Sequence, residues 1–270
     1  MTSLMKNANK NTFCKFTVLT ADNVTEENKE KIRTVGKHYS NCNISIVDMG
    51  QQFSNSCEKQ WSKAMYYRLN LPQILKDEKI CLYLDGDTIV RKDISDMFKI
   101  NMDDYYIAGI RDFNKFINKE SNYYKNIGIS NLDSYVCSGV LIMNLEKMRN
   151  NSLSSTFDKL ITENDKKKTF EYPDQDILNI ACYGHILTLP FKYGALAHVI
   201  DPPKSYSKSE YAQWASNQKD WDDGRINPSI IHFTGTKPWK EVYSNFCKEW
   251  WNYAGKTDFK KDISEKYKIS

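Results

Sequence analysis

Hydrophobic positions along the chain fall into two alternating rhythms. Short β-branched or apolar runs at residues 15–20 (KFTVLT), 43–48 (NISIVD), 80–84 (ICLYL), 106–110, 139–144, 186–190 and 230–233 read as strands. Polar stretches of helical period lie between several of them. Residues 25–38 open with Thr25, Glu26 and Glu27, an N-cap followed by acids that suit the positive end of a helix dipole. Residues 60–75 predict one long amphipathic helix, and residues 174–183 a helix entered from Pro173. Strands separated by helices argue for an α/β fold with a mostly parallel central sheet flanked by helices. In such sheets, ligands sit beyond the carboxyl ends of the strands, so the residues that follow each strand matter most.

Composition narrows the picture. With 270 residues and one continuous βα pattern, the expectation is a single domain over residues 1–255 and a basic tail over 256–270. The net charge of +4 is too mild for a nucleic-acid binder, which needs a concentrated basic face. No run approaches the roughly 18 apolar residues of a membrane span. Residues 1–11 are polar and lack the apolar centre of a secretory signal. The tail spaces Phe259, Ile263 and Tyr267 by four among lysines. This pattern suits a terminal helix packed on the domain or, secondarily, contact with an anionic membrane surface. The seven cysteines (Cys14, Cys42, Cys57, Cys81, Cys137, Cys182 and Cys247) are odd in number, and no two are spaced as CxxC. They read as small buried hydrophobes of a reducing cytosol, not as a disulfide or zinc framework.

The strongest chemical signal is Leu82-Tyr83-Leu84-Asp85-Gly86-Asp87-Thr88. An apolar strand runs into two aspartates whose i and i+2 side chains tend to share a face. Two carboxylates held together repel unless a cation compensates, and a divalent ion with hard oxygen ligands is the natural one. Two enzyme classes use this arrangement. One is the haloacid-dehalogenase-like phosphatases, with DxDxT after the first strand; the other is the metal-dependent glycosyltransferases, where DxD serves a nucleotide-sugar diphosphate. The phosphatases also need a late DDxxxD-like motif. The pairs Asp103-Asp104 and Asp222-Asp223 lack its third acid. His232, just after an apolar run, is a candidate third ligand. An O,O,N set beside a diphosphate suits Mn²⁺, with Mg²⁺ second. Nearby Lys237 offers a point charge for phosphate, and Gly235 lets backbone N–H groups approach it.

Five segments in order resemble glycosyltransferase family 8, the retaining UDP-glucose and UDP-galactose transferases that include lipopolysaccharide enzymes and, more distantly, glycogenin. They are Ala64-Met65-Tyr66-Tyr67-Arg68-Leu69, the strand ICLYLDGDTIV at 80–90, Ser138-Gly139-Val140-Leu141-Ile142-Met143-Asn144-Leu145, Asp174-Gln175-Asp176-Ile177-Leu178-Asn179, and His232-Phe233-Thr234-Gly235-Thr236-Lys237-Pro238-Trp239. The resemblance implies a GT-A-like nucleotide-sugar-binding domain and a cytoplasmic retaining hexosyltransferase. Its donor would be UDP-glucose or UDP-galactose, and its acceptor a glycan or lipid-linked glycan. It puts Asp85, Asp87 and His232 on the metal. It puts Gln175 beneath the anomeric carbon, with Asp174 and Asp112 at the sugar, and Arg68, Ser138, Gly235 and Lys237 on the donor. Asp174 could instead simply cap its helix. Acceptor choice is expected in loops 115–131 and 204–225.

The chain also departs from the family. The opening strand with its uridine-contacting DxxY turn has no counterpart, so a first strand is expected to be missing, through a start-site error, a fragment or a genuine loss. Cys137-Ser138 stands where many members have Asn-Ala or Asn-Ser, which bears on donor preference. A non-catalytic sugar-binding remnant is the contrasting reading.

Overall fold

Strand β6 (Val136–Asn144) organises the molecule, because its residues are buried on both faces except at the last position. Val140 and Ile142 join one hydrophobic cluster with Ala108, Ile110 and Leu196. Leu141 and Met143 point the other way and join Tyr66, Phe157 and Ile177. Alternation across the pleat thus ties two cores to one strand. Fully burying each such aliphatic side chain contributes roughly 1.5–3 kcal/mol.

The computed structural model describes residues 1–53, 62–112, 122–201 and 215–267. Around β6 lies a four-stranded sheet of order β3 (Ile80–Leu84), β6, β5 (Ile107–Arg111) and β7 (Ile186–Thr188). A three-stranded sheet orders β4 (Thr88–Val90), β9 (Ile230–His232) and β8 (Ala195–Leu196). Strands β1 (Cys14–Thr20) and β2 (Cys42–Asp48) pair in parallel as their own ribbon. Among the described residues, no strand joins this ribbon to β3.

The α/β class holds, but the sheets are mixed where a mostly parallel one was expected. β6 is antiparallel to both β3 and β5, and β4 is antiparallel to β9. A parallel crossover needs about a dozen residues. Only residues 85–87 separate β3 from β4, so the chain there passes from one sheet to the other. The predicted long helix over 60–75 is also corrected. The described part is a 3₁₀ segment, Lys63–Asn70, followed by the single turn Leu71–Ile74 with Pro72 in its first positions. Pro72 has no N–H to donate back to Arg68, so a continuous α-helical ladder is not available there.

Other helices follow their sequence signals. α1 (Thr2–Asn7) packs beside β4, where Ser3 Oγ accepts from the Val90 N–H at 3.0 Å. α2 (Glu26–Lys37) is capped as predicted, Thr25 Oγ1 accepting from the Asn28 N–H. α3 (Leu153–Lys167) buries Leu153, Phe157, Ile161 and Asn164, a stripe of helical period. α4 (Pro173–Ala181) begins at its proline. α5 (Gln218–Ile226), α6 (Asn245–Ala254) and α7 (Phe259–Tyr267) complete the chain. α7 docks on α2 through Lys31, which pairs with Asp262 at 2.5 Å. Cys137, Cys182 and Cys247 are buried, whereas Cys14, Cys42 and Cys81 are only partly so; all six are free thiols, and Cys57 lies outside the described residues. Uniform burial of the cysteines therefore does not hold. Half-buried strands such as β1 and β3 admit solvent to their faces.

Candidate active site

The turn after β3 is held from two sides. The Asp85 N–H donates to the Gly139 carbonyl of β6 at 2.8 Å. The Phe233 N–H, just past β9, donates to the Asp87 carbonyl at 2.9 Å. Thr88 Oγ1 closes the turn on the Asp85 carbonyl at 2.9 Å. Three segments distant in sequence thus meet at one junction, and their side chains converge with them. His232 Nε2 lies 3.2 Å from Asp87 Oδ1 and 3.6 Å from Asp85 Oδ2. One donor atom from each of these three residues falls within 4.8 Å of the other two. The third group brought to the aspartates is therefore an imidazole, not the late acidic motif that the phosphatase alternative requires.

The cradle is shaped by a missing side chain. A Cβ built on Gly139 would stand 2.1 Å from His232 Cε1 and 2.8 Å from Asp85 Oδ2. Only glycine leaves room for the imidazole to face both carboxylates. Two carboxylates and a nitrogen around a space kept open in this way fit a hard or borderline divalent cation.

Within the network the charges of Asp87, His232 and Lys237 compensate one another. Burial pushes the Asp87 carboxyl up, but its hydrogen bond with His232 and the charge of Lys237 hold it down at about 2. Burial pushes His232 down, while Asp87 and Cys137 hold it up at about 10. The Cys137 thiol lies 3.9 Å from His232 Nδ1, so the ring nitrogen turned away from the carboxylates faces sulfur. Lys237 Nζ donates to Asp87 Oδ2 and to the Phe233 carbonyl, the latter at 2.9 Å. Gly235 takes φ +76°, the left-handed region that disfavours other residues, and so forms the turn between His232 and Lys237.

Arg68 closes the opposite side. Its 3₁₀ segment presents the guanidinium inward, with its side chain 7% exposed. Nη2 sits 3.0 Å from Asp85 Oδ1 and Nε sits 3.3 Å from Asp174 Oδ2, while Nη1 donates to the Ser138 carbonyl at 2.6 Å. Tyr83 lies under the guanidinium, 4.5 Å from its carbon to the ring centroid, and donates to Asp85 Oδ1 at 2.7 Å. Arg68 is thus the counter-ion of two acids within the site.

Asp174, Gln175 and Asn179 of the Asp-Gln-Asp-x-x-Asn string on α4 each engage β6 or the residues beside it. Asp174 Oδ2 accepts from Ser138 Oγ at 3.0 Å; burial raises its pKa, with Arg68 opposing. The helix N-cap is Tyr172, with no side-chain cap, so Asp174 faces the site instead of serving as the cap residue. Gln175 Oε1 accepts from the Ser138 N–H at 3.0 Å, and its Nε2 donates to Asp112 Oδ2 at 2.7 Å. Asn179 both donates to and accepts from the Val136 backbone at 2.8 Å, locking the helix to β6. Asp112, Ser138, Asp174 and Gln175 are all less than a tenth exposed.

All ten residues singled out from the sequence lie in or beside this junction. Gly139, Tyr83, Asn179 and Tyr135, whose hydroxyl lies 3.4 Å from Gln175 Nε2, were not singled out. Tyr83 was legible in principle, because i−2 to Asp85 on a strand shares its face. Gly139 and Asn179 lay inside strings already noted, and Tyr135 carries no local signal.

Residues 1–242 match the profile described as Glycosyl transferase family 8. The chain is 26% identical over 200 residues to General stress protein A of Bacillus subtilis (strain 168), covering 73% of this chain and 66% of that protein. It is 28% identical over 185 residues to the lipopolysaccharide 1,2-glucosyltransferase of Escherichia coli (strain K12), covering 68% and 51%. The chain thus spans between about half and two thirds of the length of these curated relatives. In fold it is similar to the galactosyltransferase LgtC solved with donor and acceptor sugar analogues, with a TM-score of 0.76, 22% identity, and coverage of 95% of this chain and 89% of that one. This match supports the GT-A-like architecture. Because the matched residues run through the whole junction, from Arg68 to Lys237, the chain belongs to glycosyl transferase family 8.

Proposed function

We propose that this protein is a divalent-cation-dependent retaining hexosyltransferase. It would move glucose or galactose from a UDP-sugar to a glycan or lipid-linked glycan acceptor in lipopolysaccharide or other surface-glycan assembly. The observation that carries the reading is the meeting of Asp85, Asp87 and His232 around the space that Gly139 keeps open. These three residues would hold Mn²⁺, or Mg²⁺ second. When bound, the ion neutralises negative charge growing on the departing diphosphate. Lys237 adds a positive charge at the same edge, and the left-handed turn at Gly235 would let backbone N–H groups approach phosphate oxygens. Asp174, Asp112 and Ser138 would offer partners for sugar hydroxyls, and Gln175 would lie beneath the anomeric carbon. Arg68 holds the Asp85 and Asp174 carboxylates in place. The site offers no unpaired carboxylate placed as a nucleophile among the described residues, which favours acceptor attack from the leaving-group side.

Supporting parallels are the 1,2-glucosyltransferase relative and the galactosyltransferase fold neighbour. No helix among the described residues is long and apolar enough to cross a membrane. A cytoplasmic placement is part of the proposal, with α7, whose Lys260, Lys261 and Lys266 are exposed, as the surface for peripheral membrane contact. Domain limits of 1–255 with a tail belong to the same proposal.

UDP release from UDP-glucose and UDP-galactose is expected with Mn²⁺ and is expected to stop on adding EDTA. No metal-dependent turnover with either donor would leave the non-catalytic remnant as the better reading. Asp87→Asn is expected to lower turnover by about 10²–10³-fold and to remove the Mn²⁺-dependent rise in melting temperature that UDP produces. Retention of both properties would take Asp87 out of the metal site.

A further inference from the structure

Asp176 is the one acid of the α4 string that the scheme above leaves without a task. Its exposure is 0%. Burying a carboxylate is costly unless every oxygen is satisfied, and here both are. Tyr135 Oη donates to Oδ1. Tyr123 Oη donates to Oδ2 at 2.6 Å, and the Tyr172 N–H reaches the same oxygen at 2.9 Å. Tyr123 Oη in turn accepts from the Glu171 N–H at 2.8 Å. Fully buried and engaged by three donors, this carboxylate is not presented to a substrate as a nucleophile.

The direction of the hydrogen bonds gives it a different role. The Tyr135 proton is committed to Asp176, so toward Gln175 the Tyr135 oxygen can only accept. The Gln175 Nε2 lies 3.4 Å from it. On the other end of the amide, the Ser138 N–H can only donate, and Gln175 Oε1 faces it. Asp112, an acceptor, takes the remaining Nε2 hydrogen. The amide therefore has one favourable orientation, with oxygen toward β6 and nitrogen toward Asp112. Losing the charge on Asp176 would free the Tyr135 hydroxyl to turn and donate to the oxygen of a flipped Gln175 amide, so that the observed orientation would no longer be the one favoured. Tyr123 belongs to the short helix Tyr123–Asn126, and Tyr135 stands immediately before β6, so a single carboxylate staples two separate points of the β5–β6 connection to the start of α4.

We propose that Asp176, acting through Tyr135 and braced by Tyr123, is a positioning residue that sets the orientation of the Gln175 amide in the active site. This rests on the transferase reading above. The test compares Tyr135→Phe, Asp176→Asn and Tyr123→Phe with the wild type. Each is assayed for UDP release with the donor that the wild type turns over, and each has its melting temperature measured. For Tyr135→Phe and Asp176→Asn, kcat is expected to fall about tenfold or more, the scale of one hydrogen bond to a charged group, with donor KM within about threefold. Tyr123→Phe, which does not touch Gln175, should shift kcat less and in the same direction. Should Tyr135→Phe fail to fold, the other two variants decide. A purely structural staple would lower melting temperature and leave kcat of the folded protein unchanged, and that result overturns the proposal while the transferase reading stands. A wild type that turns over neither donor overturns both.

Discussion

Gly139→Ala is expected to abolish metal binding at the junction and to reduce donor turnover by about a hundredfold or more. The added Cβ would sit 2.1 Å from His232 Cε1, well inside any van der Waals contact. His232 cannot retreat easily, because it is buried and lies in β9, paired with Thr88 on one side and Leu196 on the other. Something must move by about an ångström, and a misplacement of that size at a reacting centre can cost on the order of 10²-fold in rate. Overpacking alone destabilises by roughly 1–3 kcal/mol, so the variant should fold. Gly139 is not in the left-handed region, so alanine brings no backbone strain and the effect reports on the cradle alone. Wild-type turnover together with an unchanged Mn²⁺-induced thermal shift in this variant would mean that the imidazole does not face the two carboxylates.

Arg68→Met should be the most destabilising of the site substitutions, by about 3–5 kcal/mol, because it removes the charge that two enclosed acids share. Methionine retains much of the apolar volume, so lost packing is a minor part. Asp174 would then lose its cationic partner and keep hydrogen bonds such as that from Ser138, while Asp85, at 24% side-chain exposure, would keep Tyr83 and the nearby His232. Chemical denaturation of the metal-free proteins measures the effect. A second substitution, Asp174→Asn, should restore part of the loss in Arg68→Met while destabilising the wild type, the signature of direct coupling in a double-mutant cycle. An Arg68→Met protein within 1 kcal/mol of wild type, by the ~1 kcal/mol scale of exposed pairs, would reassign the arginine from counter-ion to free donor-binding group.

How much could be read in advance depended on the range of the interaction. β3 was legible because five apolar residues end at Asp85, and α2 because Thr25 and two glutamates mark its start. These are local patterns, and local backbone preferences act within a few residues. The 3₁₀ form of residues 63–70 was not legible, because the apolar spacing of a single segment does not distinguish 3.0 from 3.6 residues per turn over so short a span. Strand direction was misjudged for a different reason. Each helix was read as a crossover, yet partners in a sheet are chosen by the whole set of strands, and β6 lies between two strands that run opposite to it.

The site shows the same division. The sequence alone determined which residue types were present and which local positions ended strands: the paired aspartates, the histidine with its glycine and lysine, and the acid-amide string at a helix start. The tertiary structure alone decided that His232 points Nε2 at both aspartates, that Arg68 is spent on Asp85 and Asp174, and that Gly139 must lack a side chain. The physical reason is that these are contacts among segments far apart in the chain: the 3₁₀ segment Lys63–Asn70, the turn after β3, β6, α4 and β9. They are set by hydrogen bonds across sheets and by packing on both faces of β6, and neither leaves a trace in the spacing of residues along one segment.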